Sequence, residues 1–191
     1  MQINGALYLP SAGYNHILAG SVSGSGTLNI QGTAIVLIGD SLQLSISIVN
    51  GNGTLQIQQN GVCTVNGNTT FSIATVSGAG TLSVSSGYTL TIGASATFSI
   101  ATVSGAGTLS VSSGYTLTFS GSNLLPTTLT VSGTLALSGN YTLVTNITNG
   151  TGTVQINSGY TLTVSSNITL GFSTVSGAGT LSVSSGYTLT I

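Results

Sequence analysis

TFSIATVSGAGTLSVSSGYTLT occupies residues 70–91 and recurs without change at residues 97–118. Its core, TVSGAGTLSVSSGYTLTI at 75–92, returns once more at 174–191. Within the segment, Phe71, Ile73, Leu82, Val84 and Leu90 alternate with Ser and Thr, and Gly and Ser separate the runs. Alternation at period two with β-branched residues marks strands with one buried face, and the small residues between them mark turns. No part of the chain carries a helical period.

Outward from this segment, the weaker motif G-T-[LV]-x-[IVL] places threonines at Thr27, Thr54, Thr81, Thr108, Thr134, Thr153 and Thr180, in steps of 27, 27, 27, 26, 19 and 27 residues. The unit is therefore a 27-residue repeat with one shortened copy. Its clearest copy holds three alternating runs, at 81–84, 88–92 and 97–100. Three strands per unit predict one coil of a three-sided parallel β-helix, because a repeat that cannot bury its own apolar face must stack on its neighbours. The expected fold is thus all-β: a parallel β-solenoid of about seven coils, roughly 30–35 Å long at about 4.8 Å per rung. Columns that should face inward and stack are Leu28, Leu55, Leu82, Leu109, Leu135, Val154 and Leu181, and Val36, Cys63, Leu90, Leu117, Leu143, Leu162 and Leu189. The domain division is 1–20, MQINGALYLPSAGYNHILAG, as an atypical docking or capping segment, and 21–191 as the solenoid.

Composition narrows function. The 191 residues include no Lys or Arg, one acidic residue (Asp40) and one histidine (His16), and charged residues make up 1%. Acid–base schemes need titratable groups in pairs, so the chain is expected not to be an enzyme, with no catalytic or metal-ligating residues and no cofactor. Nucleic acid binding needs cations to neutralise phosphate, and the chain has none. No stretch reaches the ~18 apolar residues of a membrane helix, so no membrane insertion is expected. The opening Met-Gln-Ile-Asn-Gly shows neither the basic nor the apolar region of a secretory signal. A neutral Ser/Thr/Asn/Gly surface keeps its charge constant with pH and offers no site to trypsin-like proteases, which suits a harsh exterior.

Runs such as GAGTLSVSSGYTLTI (78–92) and TLTVSGTLALSGNYTL (128–143) resemble the repeats of β-helical surface proteins: autotransporter passenger domains, haemagglutinin-like adhesins and the solenoid shafts of viral fibres. The resemblance covers nearly the whole chain after residue 20. It implies a right-handed parallel β-helix at a cell surface or virion exterior. Enzymes of the pectate-lyase type share that fold, but their acidic calcium ligands and basic catalytic residue have no counterpart here.

Cys63 reads as a small buried hydrophobe, Asp40 as a turn residue in Ile38-Gly39-Asp40-Ser41, and His16 as structural. Tyr88, Tyr115, Tyr141, Tyr160 and Tyr187 are expected to form a ladder at one corner, a strip that would also suit a surface glycan. Six Asn-x-Ser/Thr sequons, at Asn52, Asn68, Asn140, Asn146, Asn149 and Asn167, are candidate glycosylation sites in an exported chain. The pairs Thr89/Thr91, Thr116/Thr118, Thr161/Thr163 and Thr188/Thr190 place outward threonines as flat ice-binding faces do. The last residues, Gly186 to Ile191, fall in mid-coil on an apolar strand with no cap. An open strand edge pairs readily with another chain, and head-to-tail contacts that do not close give filaments. The expected function is therefore a structural subunit of an extracellular filament that polymerises with itself. Its assembly interface joins Leu189 and Ile191 of one copy to Ile3, Leu7, Tyr8 and Leu9 of the next. The alternatives are an adhesin or viral-fibre shaft and an ice-binding protein.

Overall fold

The computed structural model describes residues 1–10, 15–120, 128–143, 150–171 and 174–191. All twenty elements among them are strands, and every pairing between those strands is parallel. The chain is an all-β parallel β-solenoid of about eight turns. Among the described residues no helix is long and apolar enough to cross a membrane.

Three ladders of stacked strands form three walls. The first carries Leu7, Leu28, Val49, Phe71, Ile92, Val111 and Val131 in one inward column. The second carries His16, Val36, Leu55, Val76, Phe98, Phe119, Leu137 and Ile156. The third stacks Val22, Leu44, Val65 and Val84, with Leu42, Cys63, Leu82 and Val103 beside them. The inward side chains are almost all fully buried, from Leu28 to Leu162, in one continuous core. Phe98 and Phe119, adjacent in their column, meet edge to face with centroids 5.8 Å apart, the arrangement that sets a positive ring edge against a negative ring face.

The expected 27-residue, three-strand coil is corrected by the pairing register. Stacked partners lie 18 to 22 residues apart, as in Thr116 with Thr134 and Ile48 with Thr70. The copy holds four strand segments, not three: 81–84, Thr89–Ile92, and the two halves of Ala96–Ser104, which bends at Ala101. Residues 97–99 of that long strand lie over 75–77, and 102–104 lie over 81–83. Each coil uses three segments, so a copy of four advances one and a third turns. The arithmetic agrees: three copies span 81 residues, and the four rungs Thr27–Ile48–Thr70–Thr91–Ser110 span 83. Successive motif strands therefore move round the walls, Thr27 on the first, Thr54 on the second, Thr81 on the third and Thr108 on the first again. The 19-residue step is a single turn, so Thr153 sits directly on Thr134 and Val154 on Leu135. The columns Leu28–Leu55–Leu82 and Val36–Cys63–Leu90 face inward as expected but do not stack in that order.

Glycine sets the offset. Gly51, Gly78, Gly105 and Gly177 turn the corner ahead of four of the motif strands at φ between +104° and +118°. Each presses on the residue 21 earlier: a Cβ on Gly78 would lie 2.0 Å from the Ile57 carbonyl oxygen. The corner of one copy thus lands on the last residue of the previous motif strand, and only a residue without a Cβ fits there.

Candidate assembly edges and surface sites

Among the first twenty residues, strands 6–9 and 15–17 belong to the ladder. Ala6–Leu9 pairs with residues 27–30 and Asn15–Ile17 with residues 35–37. Ile3 is buried beneath Gly24 and Gly26. Leu7 and Leu9 are half-buried and Tyr8 is exposed. A shallow depression of about 250 Å³, lined by residues 1–7, opens on this edge. Leu189 is half-buried and Ile191 exposed at the opposite edge of the stack, over Ile168–Thr169. The structure thus places the six residues expected at an assembly interface on the two ends of the rod.

The C-terminal end has a counterpart inside the stack. Residues 75–92 and 174–191 are identical, and each rests on the coil beneath it in the same register. The steps are 21 residues in Thr54–Thr75 and Thr153–Thr174, 19 in Val62–Thr81 and Thr161–Thr180, and 21 in Thr69–Leu90 and Ile168–Leu189. The side chains beneath differ in part, as in Cys63 against Leu162 and Thr69 against Ile168, and so does the covering. Residues of Ala96–Ser104 and Thr108–Val111 lie over the first copy. Val84 is 2% exposed where Val183 is 42%, and Ile92 is 0% where Ile191 is 65%.

Four of the six sequon asparagines act within the fold. Asn68, Asn140 and Asn167 are exposed, and Oδ1 of each accepts the backbone N–H of the residue 21 later, Thr89, Thr161 and Thr188. Ser95 Oγ does the same for Thr116. Asn52 Oδ1 accepts the Gly32 N–H. These asparagines clamp one coil to another, and leave Nδ2 as the atom that a glycan would take. Asn146 and Asn149 lie outside the described residues. The spacing could have revealed the clamp: Asn68 and Ser95 are 27 apart, as are Asn140 and Asn167, each one residue before an inward position.

The tyrosine ladder does not form. Tyr88, Tyr115, Tyr160 and Tyr187 are exposed on strand-leading turns, and backbone pairing sets Tyr88 against Thr108, Tyr115 against Thr134 and Tyr160 against Thr180. Tyr141 belongs elsewhere in the repeat. It follows the clamp residue Asn140 as Thr69 follows Asn68 and Ile168 follows Asn167, and like them it is buried. Its ring packs 6.3 Å from that of Phe119, and among the described residues its hydroxyl has no hydrogen-bond partner. Desolvation, then the charge of Tyr160, pushes its pKa up to about 12.

The Thr-x-Thr pairs also part company, since none of them stacks on another. Thr89 and Thr91 lie beneath Thr108 and Ser110, Thr116 and Thr118 beneath Thr134 and Ala136, and Thr161 and Thr163 beneath Thr180 and Ser182. A rotation of a third of a turn per copy is the cause. A column of Thr54, Thr75, Thr97 and Thr118 does run up the second wall, giving it a neutral hydroxyl surface.

Cys63 is fully buried between Leu42 and Leu82, and desolvation pushes its thiol up to about 12. Asp40 is exposed in its turn, where its carbonyl accepts the Val62 N–H. His16 Nε2 lies 3.5 Å from the Pro10 carbonyl oxygen. No three His, Cys, Asp or Glu side chains gather among the described residues. Compared with protein-family models, with curated proteins and with solved structures, the chain matches none.

Proposed function

We propose that this chain is a non-catalytic structural subunit of an extracellular filament, built by end-to-end stacking of solenoids. The observation that carries the reading is the pair of identical segments held in the same register, one covered and buried, the other open and exposing Val183 and Ile191. A surface with this sequence already receives another coil inside the molecule, so it is competent to receive one from outside. Parallel pairing supports the same direction of growth, because every rung presents the same strand sense to the next. The nearly uncharged composition supports an exterior location, where a surface without basic residues withstands trypsin-like proteases and swings of pH. The adhesin or viral-fibre shaft remains the nearest different reading and predicts a rod that does not lengthen with concentration.

The test is negative-stain electron microscopy together with sedimentation velocity over a wide concentration range. Filaments one solenoid wide, lengthening with concentration and indifferent to salt for want of ion pairs to screen, are the expected result. A single species of monomer mass at every concentration overturns the proposal. Thermal hysteresis without filaments would favour the ice-binding alternative.

A further inference from the structure

We infer that Asn50 is a self-modifying site, at which the backbone nitrogen of Gly51 closes on the Asn50 carboxamide and the asparagine becomes an acid without an enzyme. The inference goes beyond the filament reading and stands whether or not the chains polymerise. The sequence holds six Asn-Gly steps, at Asn4, Asn50, Asn52, Asn60, Asn66 and Asn149. Glycine leaves the amide that follows each asparagine sterically open, so the sequence treats the six alike. The fold separates them. Asn52 turns its Oδ1 onto the Gly32 N–H of the coil beneath, at 2.7 Å. Asn66 is half-buried, its Nδ2 donating to Gln43 Oε1 and its Oδ1 accepting from Ser85 Oγ. At Asn60 the nucleophile is the engaged group, because the Gly61 N–H donates to the Gln58 carbonyl at 2.9 Å. Asn50 is the opposite case: it is exposed, and its Oδ1 accepts the N–H of its own neighbour Gly51 at 2.6 Å.

That contact sets the reacting atoms together. Asn50 Cγ stands one C=O bond of about 1.2 Å beyond Oδ1, so it lies within about 3.8 Å of the Gly51 nitrogen, near the roughly 3–3.5 Å of a reactive approach. The corner holds the amide in place, with Gly51 at φ +118° pressed on the Ile30 carbonyl. The chemistry balances with water as the one co-reactant. The Gly51 nitrogen gives its proton to solvent base and bonds to Cγ, the Cγ–Nδ2 bond breaks, and the nitrogen leaves as ammonia. Water then opens the five-membered imide. Cleavage at Cγ gives aspartate, and cleavage at the backbone carbonyl gives isoaspartate, whose main chain is one carbon longer. Either product adds one carboxylate and takes the net charge from -1 to -2, since -1 - 1 = -2. The new charge sits on the outward column between Asn29 and Ser72, both neutral.

The test ages the folded chain in mildly alkaline buffer and follows it by isoelectric focusing and by mass spectrometry of peptides cut with a protease that needs no Lys or Arg. The background carries Asn4→Gln and Asn149→Gln, because Asn149 lies outside the described residues and Asn4 is held only by a 3.5 Å contact with Gln2. One more acidic band should grow with time, and position 50 should convert at least about tenfold faster than positions 52, 60 and 66, the scale of loss expected when reacting atoms are misplaced by an ångström or so. Adding Asn50→Gln, whose longer side chain needs a six-membered ring, should remove that band. In guanidinium chloride the four asparagines should convert at similar rates, since the contacts that separate them are gone. Equal rates in the folded chain overturn the inference, as does a lead for position 52, 60 or 66. So does an acidic band that survives Asn50→Gln, or a folded chain that stays unchanged while the unfolded one converts.

Discussion

At the scale of the residue, two kinds of glycine look alike in the sequence and differ in the fold. Gly87 in Ser85-Ser86-Gly87-Tyr88 adopts φ +82°, with open space where a Cβ would go. Gly78 adopts φ +114° and also faces the Ile57 carbonyl at 2.0 Å. Gly87→Ala should therefore cost about 1–2 kcal/mol, the penalty for a left-handed alanine. Gly78→Ala should cost clearly more, because a backbone oxygen must move as well. Urea midpoints of the two variants would check the order; equal losses would mean that the corner is less tight than described. Cys63 and Tyr141 make a second prediction. Burial raises both groups above their ordinary values of 9.0 and 10.0, to about 12. A group whose folded pKa is raised stabilises the fold fully below its unfolded pKa and ceases to do so as pH climbs through the folded one. Stability should thus hold from acid to about pH 9 and fall between about pH 9 and pH 12. The double variant Cys63→Ala, Tyr141→Phe should flatten that alkaline limb, as melting temperatures across pH would show. Tyr141→Phe alone, at neutral pH, removes an unpartnered hydroxyl from the core and should be neutral or stabilising.

At the scale of the element, the inward faces were legible and the fourth strand was not. Period-two alternation identified Leu82, Val84, Leu90 and Leu109 as core, and all four are buried. The 102–104 segment carried no punctuation of its own: Ile100-Ala101-Thr102 contains no Gly, Pro or Asn, and the chain bends there inside one continuous strand. Counting three strands in place of four led to a 27-residue coil. Tyr141 was misplaced for a related reason. Gly139-Asn140-Tyr141-Thr142-Leu143 resembles Gly87-Tyr88-Thr89-Leu90 locally, and only the rung-to-rung bond from Asn140 shows which part of the repeat it is. The sequons were legible as sequons, while their mechanical role needed the partner 21 residues away. That role is testable in Asn68. Asn68→Ala strips the Thr89 N–H of its acceptor and should cost about 1 kcal/mol, the usual loss for a capping side chain. Asn68→Ser should recover most of it, because Ser95 already performs this task at the next copy. Thermal unfolding of the pair decides; equal losses from both would show that the hydrogen bond is not what the position needs.

At the scale of the molecule, the repeat and the coil are different lengths, and their mismatch is a screw. Deleting residues 75–101 joins Ala74 to Thr102, which restores the natural Ala-Thr junction and removes one 27-residue copy without a scar. The shortened chain should fold with parallel ladders intact, as circular dichroism and resistance to proteolysis would show. Its two ends, however, are no longer in phase. One copy is worth a third of a revolution beyond a full one, so its loss swings one end of the rod about the axis relative to the other. A subunit that must meet its neighbour wall to wall cannot tolerate that swing unless the whole fibre rewinds. Helical reconstruction of filaments from the shortened chain should reveal a changed twist, or the filaments should fail to grow. Phase returns only after three copies have been lost or gained. A lineage of such proteins can therefore lengthen by gene duplication in any number while the subunits work alone. Once their ends must mate, lengths separated by threes are favoured, and the 19-residue copy, worth one whole revolution, changes length without touching the phase even when gained or lost singly.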